Sequence, residues 1–252
     1  MEDKCTLATT FHQFFEFIPA NTKELQAHAF RIRYEVYCEE LGYENPEEFS
    51  DDLERDDFDD NSLHYLLRHK QSQEFAACVR LAMVDGNHTL PFESICGDSF
   101  YIGASSPDTF PADSCVEISR LAVRARYRKG CADQTQSCLV HSPGKKKQVS
   151  QYPLITYGLI MACFAGSLHH HFDNVFVMME TRLARRLRMM GVAFEQIGLP
   201  VEHRGQRAPY RISPRSAQFQ LTTDLQHIIH DMRLVLTDIE PSMKQHPFLV
   251  NG

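Results

Sequence analysis

The stretch SCVEISRLAVRARYR, residues 114–128, alternates apolar and polar side chains, as a strand with one buried face does. Its apolar positions are Val116, Ile118, Leu121 and Val123. The alternation breaks at Ser119 and Arg120, which stand side by side. This break predicts a local irregularity in the strand, and such irregularities often re-aim side chains at active sites. Glu117 and Arg120 are therefore the first candidates for a functional role.

Helix and strand patterns alternate along the rest of the chain. The predicted elements are a helix over 21–43, a hairpin of strands 63–69 and 74–84, the strand within 114–128, an apolar helix over 152–171, a strand over 174–180, a basic helix over 181–191, a strand over 193–198, a strand within 209–220 and a helix over about 222–243. Residues 44–60 and 129–150 read as loops. This order predicts one α/β domain over residues 1–252, with a mixed sheet covered by helices and a C-terminal helical extension.

Composition favours an ordinary globular protein, with 43% hydrophobic and 23% charged residues in 252. The most apolar helix segment, 157–168, is too short to span a membrane, so we expect no membrane span. Glu2 and Asp3 at the N-terminus make a poor secretory signal, which predicts a cytoplasmic protein. The eight cysteines form no Cys-x-x-Cys pair, so we expect free thiols and no metal site. The histidines at 169–171 read as a helix end.

Charge is distributed unevenly. Residues 35–60 hold thirteen acidic side chains and one basic one, Arg55. Residues 182–215 hold eight arginines against Glu195 and Glu202. The two segments therefore suit partners of opposite charge. A nucleic-acid partner is not expected, because the net charge is −7 and no reader motif is present.

Four motifs occur in a defined order: RIRYEVYCEELGY (31–43), DDFDDNSLHYLL (56–67), ACVRL (77–81) and EISRLAV (117–123). In this order and spacing the chain resembles the N-acylhomoserine-lactone synthases over about residues 24–128, with a looser match over 152–180. Those are autoinducer synthases with a fold like the GCN5-related N-acetyltransferases (GNAT). The resemblance implies an α/β, GNAT-like fold with a mixed, mostly antiparallel sheet flanked by helices.

The C-terminal part has a second resemblance. RLARRLRMMG (182–191) and GQRAPY (205–210) resemble motifs of the bacterial exosortase-associated acyltransferases and long-chain N-acyl amino acid synthases. Together the resemblances imply transfer of a fatty acyl group from an acyl carrier protein thioester to a primary amine. They imply no metal and no tightly bound cofactor, with the acyl carrier protein and a small amine or amino acid as partners.

The reaction needs a base for the amine and stabilisation of the carbonyl oxygen as it becomes negative. Glu117 is the candidate base, acting directly or through a water. Arg120 either pairs with Glu117 or holds a substrate carboxylate. The resemblance places the oxyanion on backbone N–H groups where central strands part.

The lactone synthases carry an acidic motif beside the amine substrate, and Asp56 and Asp59 match it. These two aspartates either position an ammonium group or orient Arg33 and Arg80, the arginines that match the family pattern. Tyr37 and Tyr43 stand where the family has aromatic residues, either as core packing or as substrate contacts. The second of these is usually Trp in the lactone synthases, and this chain has no Trp.

Arg182, Arg185 and Arg186 share one face by helical spacing, with Leu183 and Leu187 on the buried side. A basic face suits docking of the acidic acyl carrier protein, although it also serves solubility. The RYRKG segment, 126–130, matches the phosphate loop of acetyl-CoA enzymes out of register, which disfavours a CoA donor. Two alternatives remain: a lactone synthase using S-adenosylmethionine, and a non-catalytic protein that binds acyl chains.

Overall fold

The computed structural model of the protein describes residues 6–84, 89–103, 105–128, 138–142, 145–149 and 152–243. The helices are α1 Leu7–Phe14, α2 Lys23–Tyr34, α3 Glu93–Cys96, α4 Ala125–Arg128, α5 Tyr152–His169, α6 Thr181–Met189, α7 Pro214–Ala217 and α8 Thr223–Met243. The strands are β1 Phe15–Pro19, β2 Ser62–His69, β3 Phe75–Met83, β4 Cys115–Val123, β5 Cys138–Ser142, β6 Lys145–Val149, β7 Asn174–Met179, β8 Glu195–Gln196, β9 Val201–Glu202 and β10 Gln206–Ile212. A π-helical turn, Glu35–Glu40, extends α2.

The central sheet has eight strands in the order β1-β2-β3-β4-β7-β10-β8, with β9 paired to β10. β4 and β7 run parallel, and the other pairs of this sheet are antiparallel. The predicted fold class, a mixed and mostly antiparallel sheet flanked by helices, is confirmed. The parallel pair requires a crossover, and α5 lies within that connection.

Each face of the sheet has its own helical cover. α5 packs on β2, β3 and β4, with α8 packed against α5 from outside. α5 is apolar around its whole circumference because it is enclosed between the sheet and α8. α2 covers the opposite face over β2, β3 and β4. A side chain on the central strands therefore points either to the α5 face or to the α2 face, according to its place in the alternation.

Most predicted elements are present, with shifted ends. The helix at 21–43, the hairpin at 63–84, the apolar helix, the basic helix and the C-terminal helix correspond to α2 with its π-turn, β2–β3, α5, α6 and α8. The strand predicted at 193–198 is only the two residues of β8. The long loop or insertion predicted at 129–150 contains two strands, β5 over 138–142 and β6 over 145–149, which pair antiparallel, so the prediction of a loop was wrong there; its remaining residues lie outside the described ranges. The extent of the domain stays a prediction.

Within the described ranges, the helices are too short or too polar to cross a membrane, and His, Cys, Asp and Glu form no group that can hold a metal ion.

Candidate active site

The two parallel strands part at the middle of the sheet. β4 and β7 pair from Cys115↔Asn174 to Ile118↔Val177, and beyond this point the described register has no further pair between them. A cavity of about 710 Å³ lies at the opening. Its walls come from β4, β7, the π-turn, α5, α6 and the β9–β10 hairpin. Backbone groups of β4 that face β7 after Ile118 are therefore available to a ligand.

Glu117 lines this cavity on the α2 face of β4. Its neighbours Val116 and Ile118 belong to the core on the α5 side, so alternation turns Glu117 to the opposite side. The side chain is buried, and its Oε2 accepts a hydrogen bond from the Phe92 backbone N–H at 2.7 Å. Burial raises the pKa of Glu117 to about 8, against the opposing effects of that hydrogen bond and of Arg80 and Arg120. A carboxyl with this pKa can take up a proton near neutral pH.

Arg120 lies in the irregularity that the sequence predicts. The register between β3 and β4 shifts between Cys78 and Arg80, and Arg120 has φ +50. A positive φ at a residue with a side chain marks backbone held in place by its surroundings. Arg120 Nε lies 3.1 Å from Glu54 Oε1, and its Nη2 lies 2.8 Å from Asp56 Oδ2. The alternative that Arg120 pairs with Glu117 was wrong, because the bulge directs the guanidinium toward the acidic loop.

The predicted arginines and aspartates form one buried ion network on the α2 face. Arg33 donates to both oxygens of Asp59, at 2.6 and 2.9 Å, and also to Glu54. Arg80 donates to Asp59 at 2.8 Å, to Asp56, and to the Ser119 hydroxyl at 3.0 Å. Arg33 and Arg80 are essentially inaccessible to solvent. Asp59 is paired with Arg33 and Arg80, and Asp56 is paired with Arg80, which is the arrangement that the second predicted alternative requires; the role of the two aspartates stays a prediction.

Electrostatics keep this network ionised despite its burial. Burial alone would raise the pKa of Asp59, but hydrogen bonds from Arg33 and the charges of Arg33 and Arg80 hold it well below its ordinary value. Burial disfavours the charged form of the adjacent His64 and lowers its pKa to about 4, so this imidazole is neutral. Buried charges with this many partners fix the geometry of a cleft.

Two acids of the network were not singled out by the sequence. Glu54 is 1% exposed and bridges Arg33 to Arg120. Glu44 pairs with Arg204 of the β9–β10 hairpin and lies 4.0 Å from Arg120. Both occur in the acidic run 35–60, and their local sequence does not distinguish them from the solvated carboxylates of the same run. Only the position of the arginines in space distinguishes them.

The two tyrosines have different environments. Tyr37 is buried and donates a hydrogen bond from its hydroxyl to the Leu121 carbonyl at 3.0 Å. Tyr43 is 37% exposed, lines the cavity and stacks on Tyr37 with 6.5 Å between ring centroids. The Arg204 guanidinium lies 5.3 Å from the Tyr43 ring. Tyr37 thus packs and anchors β4 while also lining the cavity, and Tyr43 is the more exposed of the two.

Arg182, Arg185 and Arg186 are exposed on α6, and Leu187 is buried beneath them. Arg182 and Arg186 also line the cavity. Since Ala184 and Leu187 belong to the core on the α5 side, α6 lies on that side of the sheet. The basic face therefore stands beside the cavity.

Residues 32–136 match the family model of the acetyltransferase (GNAT) domain. No curated protein matches the chain in sequence. Among solved structures, TofI in a ternary complex with an inhibitor and MTA has a TM-score of 0.55 at 18% identity, over 84% of this chain and 96% of that one. The CoA-dependent acyl-homoserine lactone synthase BjaI with SAM and isopentyl-CoA has a TM-score of 0.54 at 18% identity, over 86% and 88%. FeeM, an N-acyl amino acid synthase from uncultured soil microbes, has a TM-score of 0.53 at 13% identity, over 83% and 96%.

These similarities show the fold that the sequence predicts. The chain has the GNAT fold in the form found in acyl-homoserine lactone synthases and in an N-acyl amino acid synthase. The matched acetyltransferase (GNAT) domain supports an acyltransferase.

Proposed function

We propose that the protein transfers a fatty acyl group from an acyl carrier protein thioester to a primary amine and makes a long-chain N-acyl amino acid. The observation that carries this proposal is the buried carboxyl of Glu117, which lines a cavity between parted strands. A carboxyl in a low-dielectric site, with a pKa of about 8, is suited to accept the proton of an amine nucleophile.

The proposed reaction is a direct displacement. Glu117, in its ionised form, takes a proton from the amine, directly or through a water. The amine lone pair attacks the thioester carbonyl, and backbone N–H groups of β4 beyond Ile118 stabilise the oxyanion. The tetrahedral intermediate collapses, the C–S bond breaks, and the pantetheine thiol leaves with a proton. The scheme uses no metal, no tightly bound cofactor and no acyl-enzyme.

The ion network has a positioning role in this scheme. Arg80 donates to Ser119 and Asp56 pairs with Arg120, both at the β3–β4 bulge, while Arg33 and Asp59 brace Arg80. Tyr43 and Arg120 line the cavity where the amine binds. Rigid support of this kind keeps reacting groups in a near-attack arrangement.

The proposed donor is acyl-acyl carrier protein, supported by the exposed arginines Arg182, Arg185 and Arg186 beside the cavity. A small acidic carrier protein complements that surface. An exosortase-associated setting in bacteria rests on the resemblance of residues 179–213 alone.

A second candidate function is lactone synthesis from S-adenosylmethionine. It is favoured by the similarity to TofI with MTA and to BjaI with SAM. Tyr43 in place of an indole and the arginine-rich C-terminal part favour the amino acid acceptor. A protein that only binds acyl chains would not need a carboxyl with the raised pKa of Glu117.

A mass-spectrometric product scan separates these functions. Purified protein is incubated with palmitoyl-acyl carrier protein or palmitoyl-CoA, together with either the common amino acids or S-adenosylmethionine. We expect an N-palmitoyl amino acid from the carrier-protein donor. An acylhomoserine lactone with methylthioadenosine would establish the second function instead. Donor binding without any amide, unchanged in Glu117→Gln, would indicate the binding protein.

A further inference from the structure

The β9–β10 hairpin places three basic side chains at the cavity: His203, Arg204 and Arg207. The hairpin is well braced. Glu202 accepts hydrogen bonds from the Gly205 backbone N–H at 3.1 Å and from the Gln206 amide at 2.8 Å. Arg204 and Gly205 have φ +52 and +98, so the turn holds a left-handed conformation over two residues. A braced turn presents its side chains to the cavity in a fixed arrangement.

Charge compensation is uneven within this cluster. Arg204 is paired with Glu44, and Arg120 beside it is paired with Glu54 and Asp56. Among the described residues Arg207 has no ion pair, and its Nε is buried without a hydrogen-bond partner. A buried guanidinium N–H without a partner is costly unless a ligand supplies the acceptor.

Arg207 projects from the same face of the sheet as Glu117. Ala208, Tyr210 and Ile212 of β10 pack in the core on the α5 side, so Arg207 points to the α2 side. The basic helix α6 lies on the α5 side. Arg207 therefore belongs to the half of the cavity that holds the candidate base, not to the half beside the carrier-protein surface.

Arg120 links the cluster to the base. Its charge acts on Glu117, and it also acts on His203 together with Arg204 and Arg207. Burial and these three cations lower the pKa of His203, so the imidazole is neutral at pH 7 and can donate one hydrogen bond. A ligand bound between Glu117 and Arg207 would meet a proton acceptor at one end and anion-binding donors at the other.

We infer that Arg207, aided by His203, binds the carboxylate of the acceptor, so that the acceptor is an α-amino acid or a similar amine carrying a carboxylate. This inference rests on the proposed acyl transfer and assigns the residues that recognise the acceptor. A guanidinium binds a carboxylate through two parallel charge-assisted hydrogen bonds. Neutral amines of the same shape would leave Arg207 unpaired and are expected to be poor acceptors.

The test compares glycine with glycinamide as acceptors, using palmitoyl-acyl carrier protein as donor. We expect wild-type protein to favour glycine in kcat/KM by at least tenfold. In Arg207→Gln the KM for glycine should rise at least tenfold with the KM for donor unchanged, whereas Arg207→Lys should recover part of the loss. Arg233→Gln, an exposed arginine of α8, is the matched control and should behave as wild type. Equal use of both acceptors would overturn the inference. An effect of Arg207→Gln on the KM for donor alone would also overturn it, and would assign Arg207 to the donor phosphate.

Binding of products gives a second readout that needs no turnover. N-dodecanoylglycine should bind wild-type protein at least tenfold more tightly than N-dodecanoylglycinamide, and Arg207→Gln should remove the difference. If both bind equally to both proteins while acyl transfer to amines occurs, the carboxylate site is wrong and the proposed function stands. If neither binds and no amide forms with any amine, the proposed function fails and the carboxylate site fails with it.

Discussion

At the scale of single residues, Glu117 is expected to control the pH dependence of catalysis. The base must be ionised, and its pKa is about 8, so kcat/KM should rise with pH and level off above that value. Glu117→Gln should lower kcat by about 10²- to 10⁴-fold and remove this limb, leaving only the titration of the amine itself. pH–rate profiles of both proteins would show this, with exposed Glu47→Gln as control. An unchanged limb in Glu117→Gln would show that another group is the base.

The same carboxyl should make stability depend on pH. Its pKa is raised on folding from about 4.5 to about 8, so the folded state binds the proton more tightly. Its contribution to the free energy of unfolding is full below pH 4.5 and is lost as pH rises to 8, by up to about 1.4 kcal/mol per pH unit. Urea unfolding at pH 5, 6.5 and 8 should therefore show wild type losing stability relative to Glu117→Gln. Parallel pH curves would contradict this linkage.

Glu54 tests the ion network. Glu54→Gln removes the buried charge shared by Arg33 and Arg120, leaving positive charge without its full compensation. Breaking a buried ion pair in this way costs about 3–5 kcal/mol, so thermal unfolding should shift strongly downward. Exposed Glu47→Gln should leave the midpoint unchanged. A small shift in Glu54→Gln would mean that water or rearranged partners compensate the arginines.

At the scale of elements, the sequence predicted the features that depend on neighbouring residues, and it missed those that depend on residues distant in the chain. The alternation within 114–128, broken at Ser119 and Arg120, predicts both a strand and its bulge, and β4 has both. The candidates Asp56 and Asp59 came from motif order, and the structure places Asp59 against Arg33 and Arg80 and Asp56 against Arg80 and Arg120. Glu54 was missed because its burial depends on Arg33, which precedes it by 21 residues. α1 and β1 were not predicted, because polar residues interrupt the apolar pattern of each. Their stability comes from packing against α8 and β2, which are distant in the sequence.

The contact between α5 and β2 provides a test of packing. The Tyr65 hydroxyl is buried without a hydrogen-bond partner among the described residues, and it lies where a Cβ on Gly166 would be. Gly166→Ala should destabilise, since overpacking costs about 1–3 kcal/mol against a helix-propensity gain of about 1. Tyr65→Phe should be neutral or stabilising. The double variant, measured by urea unfolding, should recover part of the loss, since the ring Cζ would still lie 2.8 Å from the added Cβ. Additive effects would show that the two sites do not touch.

At the scale of the whole molecule, the chain separates its charges. Part of the acidic segment 35–60 is used internally, where Glu44, Glu54, Asp56 and Asp59 compensate arginines of α2, β3, β4 and the β9–β10 hairpin. Most of its other acids are exposed. The arginines of α6 are also exposed. Under the proposed function, the exposed arginines of α6 stand beside the donor, and Arg207 lies in the half of the cavity that holds Glu117. The uneven charge of the sequence therefore corresponds to a partly buried acidic loop that pairs with arginines and to an exposed basic helix.

Arg185 allows this docking surface to be tested apart from the chemistry. It is exposed on α6, whereas Arg182 and Arg186 also line the cavity. Arg185→Glu should raise the KM for palmitoyl-acyl carrier protein by about tenfold, since like-charge contact opposes docking, and the effect should shrink at high salt. Steady-state kinetics with palmitoyl-pantetheine, which lacks the protein, should be unchanged, as should both donors with Arg233→Glu on α8. An equal rise in KM for both donors would indicate that Arg185 contributes to acyl binding. An unchanged KM for both donors would indicate that the basic face serves only solubility.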